Sequence, residues 1–219
     1  AEGAGVIYNC VNPPYDRWAT DWPPVANSLL HAAERSGAVL ATTNNLYGYG
    51  PVSGLITEQT PLAATGTKGR VRNAMWADAL AAHEAGTVRA FEVRGSDYLG
   101  GNSLVGALLL PAWRKGRTAF VPADLDAPHT FTSTEDVATL LVAAAQDERA
   151  WGRAWHVPSP APCTMRELAS LVGSQLGIPT KLRAMPHAVL WLAGLVNSDA
   201  RELRETAHQF RGPWVLDSS

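Results

Sequence analysis

The chain has 219 residues, 46% hydrophobic and 17% charged, enough for one large domain, or a domain with a small lobe, to bury a core. Its 18 basic and 20 acidic residues leave a formal charge of -2 without a lysine or arginine run, so nucleic acid is not expected as a partner. Cys10 and Cys163 form neither a C-x-x-C pair nor a disulfide framework, which points to a reducing compartment, the cytoplasm; no apolar run approaches the ~18 residues of a membrane span, and Ala1 to Gly5 has no signal-peptide pattern.

Val6 to Val11 is a β-type run stopped by Asn12-Pro13-Pro14, because proline cannot continue a ladder and constrains the residue before it. From Val25 to Ser36, Val25, Leu29, Ala32 and Ala33 recur at helical spacing, and Gly37 stands where a helix C-cap glycine belongs. Val39-Leu40-Ala41 begins a second strand. Lys68 to Ala85 is again helical, with Val71, Ala74, Met75, Ala79 and Ala82 on its apolar face, and Val88 to Val93 alternates as a third strand. Strand, helix, strand, helix, strand in this order predicts an α/β chain with a parallel sheet and right-handed crossovers.

Beyond Arg94 the rhythm changes to a glycine-rich turn (Gly95, Gly100, Gly101), a helix from about Ser103 to Arg114 and a short strand at Ala119-Phe120-Val121. Ser133 with Asp136 resembles a capping arrangement for a helix to about Ala145, and Thr164 with Glu167 matches the capping box ahead of Leu168 to Leu176. Ala184 to Val196 and Asp199 to Phe210 read as further helices, and Trp155-His156-Val157 and Val215-Leu216 as short strands. There is no internal repeat and no low-complexity tract.

The second strand ends in Thr42-Thr43-Asn44-Asn45-Leu46-Tyr47-Gly48, and Lys68-Gly69-Arg70-Val71-Arg72 follows. That places hydroxyls and amides, then cations, at the carboxyl edge of the sheet, where open α/β folds bind their ligands. The amides of Asn12, Asn44 and Asn45 suit a ribose or a substrate hydroxyl, turn-making being the alternative. Gly48 to Gly54 imitates a phosphate-binding loop, but no helical pattern follows to present its N-terminus. His129 after Pro128 is placed to reach a substrate cleft; a loop histidine is the alternative, since nothing in the sequence pairs it with a carboxylate. Trp18 and Trp22 are expected to wall the cleft, Trp76 and Trp191 to pack, and Cys10 to be a small buried hydrophobe. His83-Glu84 lacks the second histidine of a zinc motif, so no metal is expected, and no G-x-S-x-G elbow marks an α/β hydrolase.

Four stretches together resemble the extended short-chain dehydrogenase/reductase family, the NAD(P)-dependent epimerases, dehydratases and reductases: Val6 to Asn12 with Trp18, Thr42 to Gly48 with its Leu-Tyr-Gly, Arg94 to Gly101, and Phe131 to Ala138. The resemblance implies a Rossmann-like parallel sheet with helices on both faces, as a partial NAD(P)-binding domain over 1–98. A smaller α+β substrate lobe follows over 99–219, interleaved with the sheet. The family's first strand and glycine-rich turn precede the equivalent of Val6, so the sequence is expected to be a fragment or to lack an N-terminal portion. The residue that tells NAD from NADP belongs to that portion.

The resemblance also implies site residues. Family chemistry uses a Ser or Thr at the strand end and a Tyr-x-x-x-Lys pair on the next helix, the tyrosine acting as general acid/base. Thr43 fits the first position, but Lys68 stands where the tyrosine is expected and Arg72 where the lysine is expected. Arg72 can hold a ribose, whereas its guanidinium cannot shuttle a proton. The phenol is then expected from Tyr47, Tyr49 or Tyr98, or Lys68 serves as the acid, or the site binds without redox chemistry. The expected catalytic set is Thr43, Tyr47, Lys68 and Arg72. Asn12, Arg72, Arg94 and Asp97 are expected to hold NAD or NADP. Asn44, Asn45, Tyr98, Asn102 and His129 are expected to hold a small polar, sugar-like substrate. A homodimer is expected through the Lys68 to Ala85 helix, and the competing expectation is a non-catalytic dinucleotide-binding sensor or scaffold.

Overall fold

A computed structural model of the chain describes residues 3–101, 103–196, 201 and 204–219. Its centre is a four-stranded sheet. The strands are β1 (Val6–Asn9), β2 (Val39–Asn45), β4 (Arg89–Gly95) and β8 (Ala154–His156), in the order β1-β2-β4-β8 and all parallel. Between them β3 (Leu55–Ile56) lies in the loop after β2, and β5 (Asp97–Leu99), β6 (Ala119–Val121) and β7 (Phe131–Ser133) follow β4.

Side chains alternate across a strand, and the alternation sorts the core. Val39, Ala41, Phe91 and Val93 face α4 (Thr134–Ala145), where Val137, Leu141 and Ala144 complete one cluster. Leu40 and Ala90 face α1 (Trp18–Ser36) and α2 (Thr67–Glu84), packing on Ala33, Trp76 and Ala79. Helices therefore cover both faces, as an all-parallel sheet requires.

Beyond the sheet, a π-helical turn at Leu104–Leu109 runs into α3 (Leu110–Arg114). It packs with α5 (Met165–Leu176) around Val105, Leu109, Trp113, Val121, Phe131, Met165 and Leu168. β6 pairs with β9 (Leu182–Ala184), β5 with β7, and β3 with β10 (Val215–Leu216). The apolar α6 spans His187–Val196. No helix among the described residues is long and apolar enough to cross a membrane.

Most expected elements form, with shifted limits. β1 stops at Asn9 rather than near Asn12, and its strand hydrogen bonding gives way where the Asn9 side chain accepts from the Val11 amide. The first helix begins seven residues earlier than its apolar period suggests, at Trp18, and contains Pro23 and Pro24 in its early turns. β2 continues through the polar residues to Asn45, and β4 is buried along nearly all its length instead of alternating. The helix from Ser103 is π-helical in its first part, and the Ser133 hydroxyl caps the Glu135 amide rather than that of Asp136. The capping box of Thr164 and Glu167 is present. Helix α6 starts at His187, three residues late. Of the expected helix from Asp199 to Phe210, residues 199, 200, 202 and 203 lie outside the described residues, and Ala207–Phe210 is a 3-10 turn. The two-residue and three-residue strands β3, β5, β7 and β9 are too short to leave a period in the sequence.

Candidate functional site

At the carboxyl edge of the sheet lies a cleft of about 690 Å³, walled by the ends of β1 and β2, the segment after β4, the turn at Gly100 and Gly101, and α4. Cys10, Asn12, Thr43, Asn44, Asn45, Tyr47, Arg72, Asp97 and Tyr98 all line it. β2 delivers Thr43 and the two asparagines because it runs on past its apolar half. α2 delivers Arg72 because Gly69 lets the helix press on the preceding loop: a Cβ there would sit 2.5 Å from the Tyr47 carbonyl oxygen.

Arg72 is pinned. Its guanidinium lies over the Trp18 and Trp22 rings, 4.5 and 4.3 Å from the ring centroids. Its Nη1 donates to the Thr43 carbonyl at 3.5 Å, and its Nε is a buried donor with no partner among the described residues. Burial lowers its pKa to about 10, which leaves it cationic at neutral pH. Trp18 walls the cleft as expected; Trp22 is completely buried behind it.

Each cleft phenol is hydrogen-bonded, as donor or as acceptor. Tyr15, from the turn Tyr15–Arg17 that the sequence reading passed over, donates its hydroxyl to the Tyr47 hydroxyl at 2.9 Å. Burial pushes Tyr15 up to about 12 and Tyr47 well above the ordinary phenol value. Tyr98 donates to the Asn44 carbonyl and is likewise raised by burial. Lys68 is 1% exposed, with Nζ 3.5 Å from Glu205 Oε2 and 4.4 Å from the Tyr15 ring centroid. Glu205 Oε1 also accepts from the Lys68 amide at 2.6 Å, capping the α2 N-terminus from the far end of the chain.

Behind the cleft wall runs a buried polar chain. Asn44 Nδ2 donates to Glu92 Oε2 at 2.7 Å, and Arg94 Nε donates to Glu92 Oε1 at 2.6 Å. Arg94 Nη1 donates to the Tyr49 hydroxyl at 2.8 Å, and that hydroxyl lies 2.7 Å from His156 Nε2. His156 Nδ1 reaches the Asp217 carbonyl at 2.8 Å. Burial opposes the charge of Arg94, but Glu92 and Tyr49 outweigh it and hold its pKa above the ordinary value. Burial lowers His156 and raises Tyr49. Neutral His156, donating from Nδ1 and accepting at Nε2 from Tyr49, gives both of its ring nitrogens a partner.

Asn12, Thr43, Asn44, Asn45, Tyr47, Arg72, Asp97 and Tyr98 thus come together in one cleft. Arg94 and Tyr49 sit behind the wall, Lys68 lies against Glu205, and Asn102 is outside the described residues. Asn45 accepts from the Tyr47 amide at 3.0 Å and Asn44 from the Asn45 amide at 2.8 Å, so both also make turns. Cys10 is exposed rather than buried, its Sγ 3.6 Å from Thr43 Oγ1. His129 does have a carboxylate partner, Asp97, at 2.5 Å. The residues missed by sequence reasoning are Tyr15, Glu92 and Glu205. Of these only Glu92 leaves a signal: an acid within the apolar run Ala90-Phe91-Glu92-Val93 is rarely buried without a partner.

No protein-family model matches the chain, and no curated protein does. Solved structures do. dTDP-glucose 4,6-dehydratase of Streptomyces venezuelae, in complex with NAD, superposes with a TM-score of 0.73 at 17% identity, over 99% of this chain and 66% of that one. The fold is that of the NAD-dependent epimerase/dehydratases. UDP-glucuronic acid 4-epimerase of Bacillus cereus, with NAD, gives a TM-score of 0.73 at 15% identity, over 83% of this chain and 62% of that one. RMD of Pseudomonas aeruginosa, with NADPH, gives 0.69 at 16%, over 83% and 69%. The extended short-chain dehydrogenase/reductase architecture expected from the sequence is therefore present, in a chain spanning 66% of the length of the dehydratase.

Proposed function

We propose that this chain forms the nicotinamide and substrate side of an NAD- or NADP-dependent enzyme of the epimerase/dehydratase kind. It would act on a hydroxyl or carbonyl of a small polar, sugar-like substrate. The observation that carries this reading is Arg72, a buried cation at the cleft wall whose Nε has no hydrogen-bond partner among the described residues. A buried donor left unsatisfied is costly, and a ribose hydroxyl is a ligand group that would accept from it. The donor set fits a dinucleotide, with Arg72 and Asn12 holding the ribose and Thr43 the reacting oxygen. When bound, NAD or NADP supplies a ring that takes or returns a hydride. The chain's part is to orient the substrate oxygen on Thr43 and to keep it between Tyr47, Tyr98 and the Gly100 turn. In support, the similar structures hold NAD or NADPH, and the dehydratase and the epimerase among them are named for reactions of nucleotide-linked sugars.

Fluorescence titration of the purified chain with NADH and NADPH tests this. Saturable binding of one of them is expected, weakened at least about tenfold by Arg72→Met, as loss of a charged hydrogen bond implies; a flat titration with both would sink the reading. Thr43→Ala is expected to lower turnover far more than stability. The second reading, a binding module without redox chemistry, is favoured by one observation: the Thr43 hydroxyl contacts Cys10 Sγ, and among the described residues no tyrosine hydroxyl is bonded to it. Under that reading dinucleotide binds but neither UDP-glucose nor dTDP-glucose is turned over. The enzyme would work in the cytoplasm as a homodimer joined through α2, which light scattering tests directly.

A further inference from the structure

We propose that Asp97 is the proton-exchanging carboxylate of the cleft and that His129 is its positioning residue, a role that rests on the proposed function and replaces the absent family tyrosine. Asp97 opens β5 and lines the cleft with its side chain 19% exposed, while the His129 side chain behind it is 5% exposed. His129 Nε2 lies 2.5 Å from Asp97 Oδ2.

The imidazole is fixed from several sides. The His129 amide donates to the Cys163 carbonyl at 3.1 Å, and the Cys163 amide returns the bond at 3.0 Å. The ring stacks on Phe210 at 5.4 Å with an interplanar angle of 3° and lies 4.8 Å from Phe131. The strand carrying Asp97 is paired with β7, Asp97 opposite Phe131, and His129 lies two residues before that partner, held by its own bridges to Cys163 and Trp214. Such support is what a site needs to hold a reacting group in place.

The other cleft side chains do not offer this chemistry. Tyr15 and Tyr98 hold their protons in hydrogen bonds to the Tyr47 hydroxyl and the Asn44 carbonyl, Tyr47 accepts from Tyr15, and burial raises all three phenols. The amides of Asn12, Asn44 and Asn45 do not transfer protons, and the guanidinium of Arg72 keeps its own. Cys10 and Asp97 remain, and of the two Asp97 is the one with an imidazole on it.

In the oxidative direction the substrate O–H bond breaks and its proton forms a new O–H bond on the Asp97 carboxylate. The two electrons of the adjacent C–H bond leave with its hydrogen as hydride, for which the oxidised dinucleotide is the acceptor, and the substrate carbon–oxygen bond becomes a carbonyl. In the reductive direction the same carboxyl returns the proton to the oxygen. His129 holds the carboxylate in line throughout through its Nε2 hydrogen bond.

Two measurements on the whole chain test this. First, the protein is treated with a water-soluble carbodiimide and glycinamide, which modify carboxyls able to take a proton, and sites are read by peptide mass spectrometry. Asp97 is expected to react and to be protected by whichever dinucleotide binds. His129→Phe is expected to abolish that protected reaction, and His129→Gln, which keeps a donor near the Nε2 place, to restore it. Second, with UDP-glucose and dTDP-glucose as probes, Asp97→Asn is expected to lower kcat roughly 10²–10⁴-fold, the usual range for losing a general acid/base. Asp97 left unmodified while the exposed Asp126 and Asp147 react would overturn the proposal, and so would Asp97→Asn at wild-type kcat. Reaction at Asp97 in a protein that binds neither dinucleotide would remove the redox reading and leave the proton-exchanging carboxylate standing.

Discussion

Glu92 is 1% exposed in the middle of β4, and two side chains answer its charge. Asn44 and Arg94 each hold one carboxylate oxygen, so both hydrogen-bonding ends are engaged. Deleting one member of a buried pair strands the other without water, at a cost of ~3–5 kcal/mol. Glu92→Ala is therefore expected to lose about that much in urea unfolding, more than ordinary core truncation of a side chain its size. The same substitution frees the Asn44 amide, so cleft geometry should suffer with stability. At this scale the sequence was uneven in what it told. Thr43, Arg72 and Asn12 were legible because a strand end and the next helix fix where they must point. The pairing of Asp97 with His129 was not, since 32 residues separate them and only the folded β5/β7 pair brings them together. Lys68 keeps helical spacing to Arg72, and the partner that sits on it, Glu205, comes from the distant segment read as a helix, a pairing that spacing alone does not reveal.

Among the elements, the π-helical turn after Gly101 shapes the cleft most directly. Gly106 allows it: a Cβ at that position would lie 2.2 Å from the Gly100 carbonyl oxygen, a backbone atom that cannot step aside. Gly106→Ala is expected to push the Gly100 and Gly101 turn into the cleft, lowering dinucleotide affinity with helicity nearly unchanged by circular dichroism. Far from the cleft, the capping box of α5 gives a simpler expectation. Thr164→Ala removes the hydroxyl that accepts from the Glu167 amide at 3.1 Å and should cost ~1 kcal/mol in thermal unfolding, with ligand binding intact. Caps and helical periods were the most readable features of the chain because they are local. The early turns of α1 were hidden by Pro23 and Pro24, which a sequence reading treats as a break, although tertiary packing of Trp18 and Trp22 outweighs the lost hydrogen bonds.

Across the whole molecule, the polar chain that begins at Asn44 ends at His156 and the Asp217 carbonyl, joining the central sheet to the end of the chain. His156 titrates below the ordinary histidine value because burial disfavours its charged form, with Arg94 adding repulsion and Glu58 and the Asp217 carbonyl opposing the shift. The unfolded chain then binds a proton more readily than the folded one. The stability from neutral His156 is full above the ordinary value near ~6.5 and is lost as pH falls through the lowered folded value. Urea stability is expected to drop on acidification, less steeply in His156→Gln; His208, shifted the same way by burial, contributes in the same direction. The joint also tells on the chain's last residues. The Trp214 amide donates to the Pro128 carbonyl at 2.9 Å, the Leu216 amide to Thr130 Oγ1 at 3.1 Å and the Asp217 amide to the Ile56 carbonyl at 2.8 Å. Chain tails ordinarily fray and trade their amide hydrogens with solvent almost freely. Here those three should exchange with deuterium only when the segments around Ile56 and Pro128 to Thr130 open, so residues 214–217 behave kinetically as part of the fold.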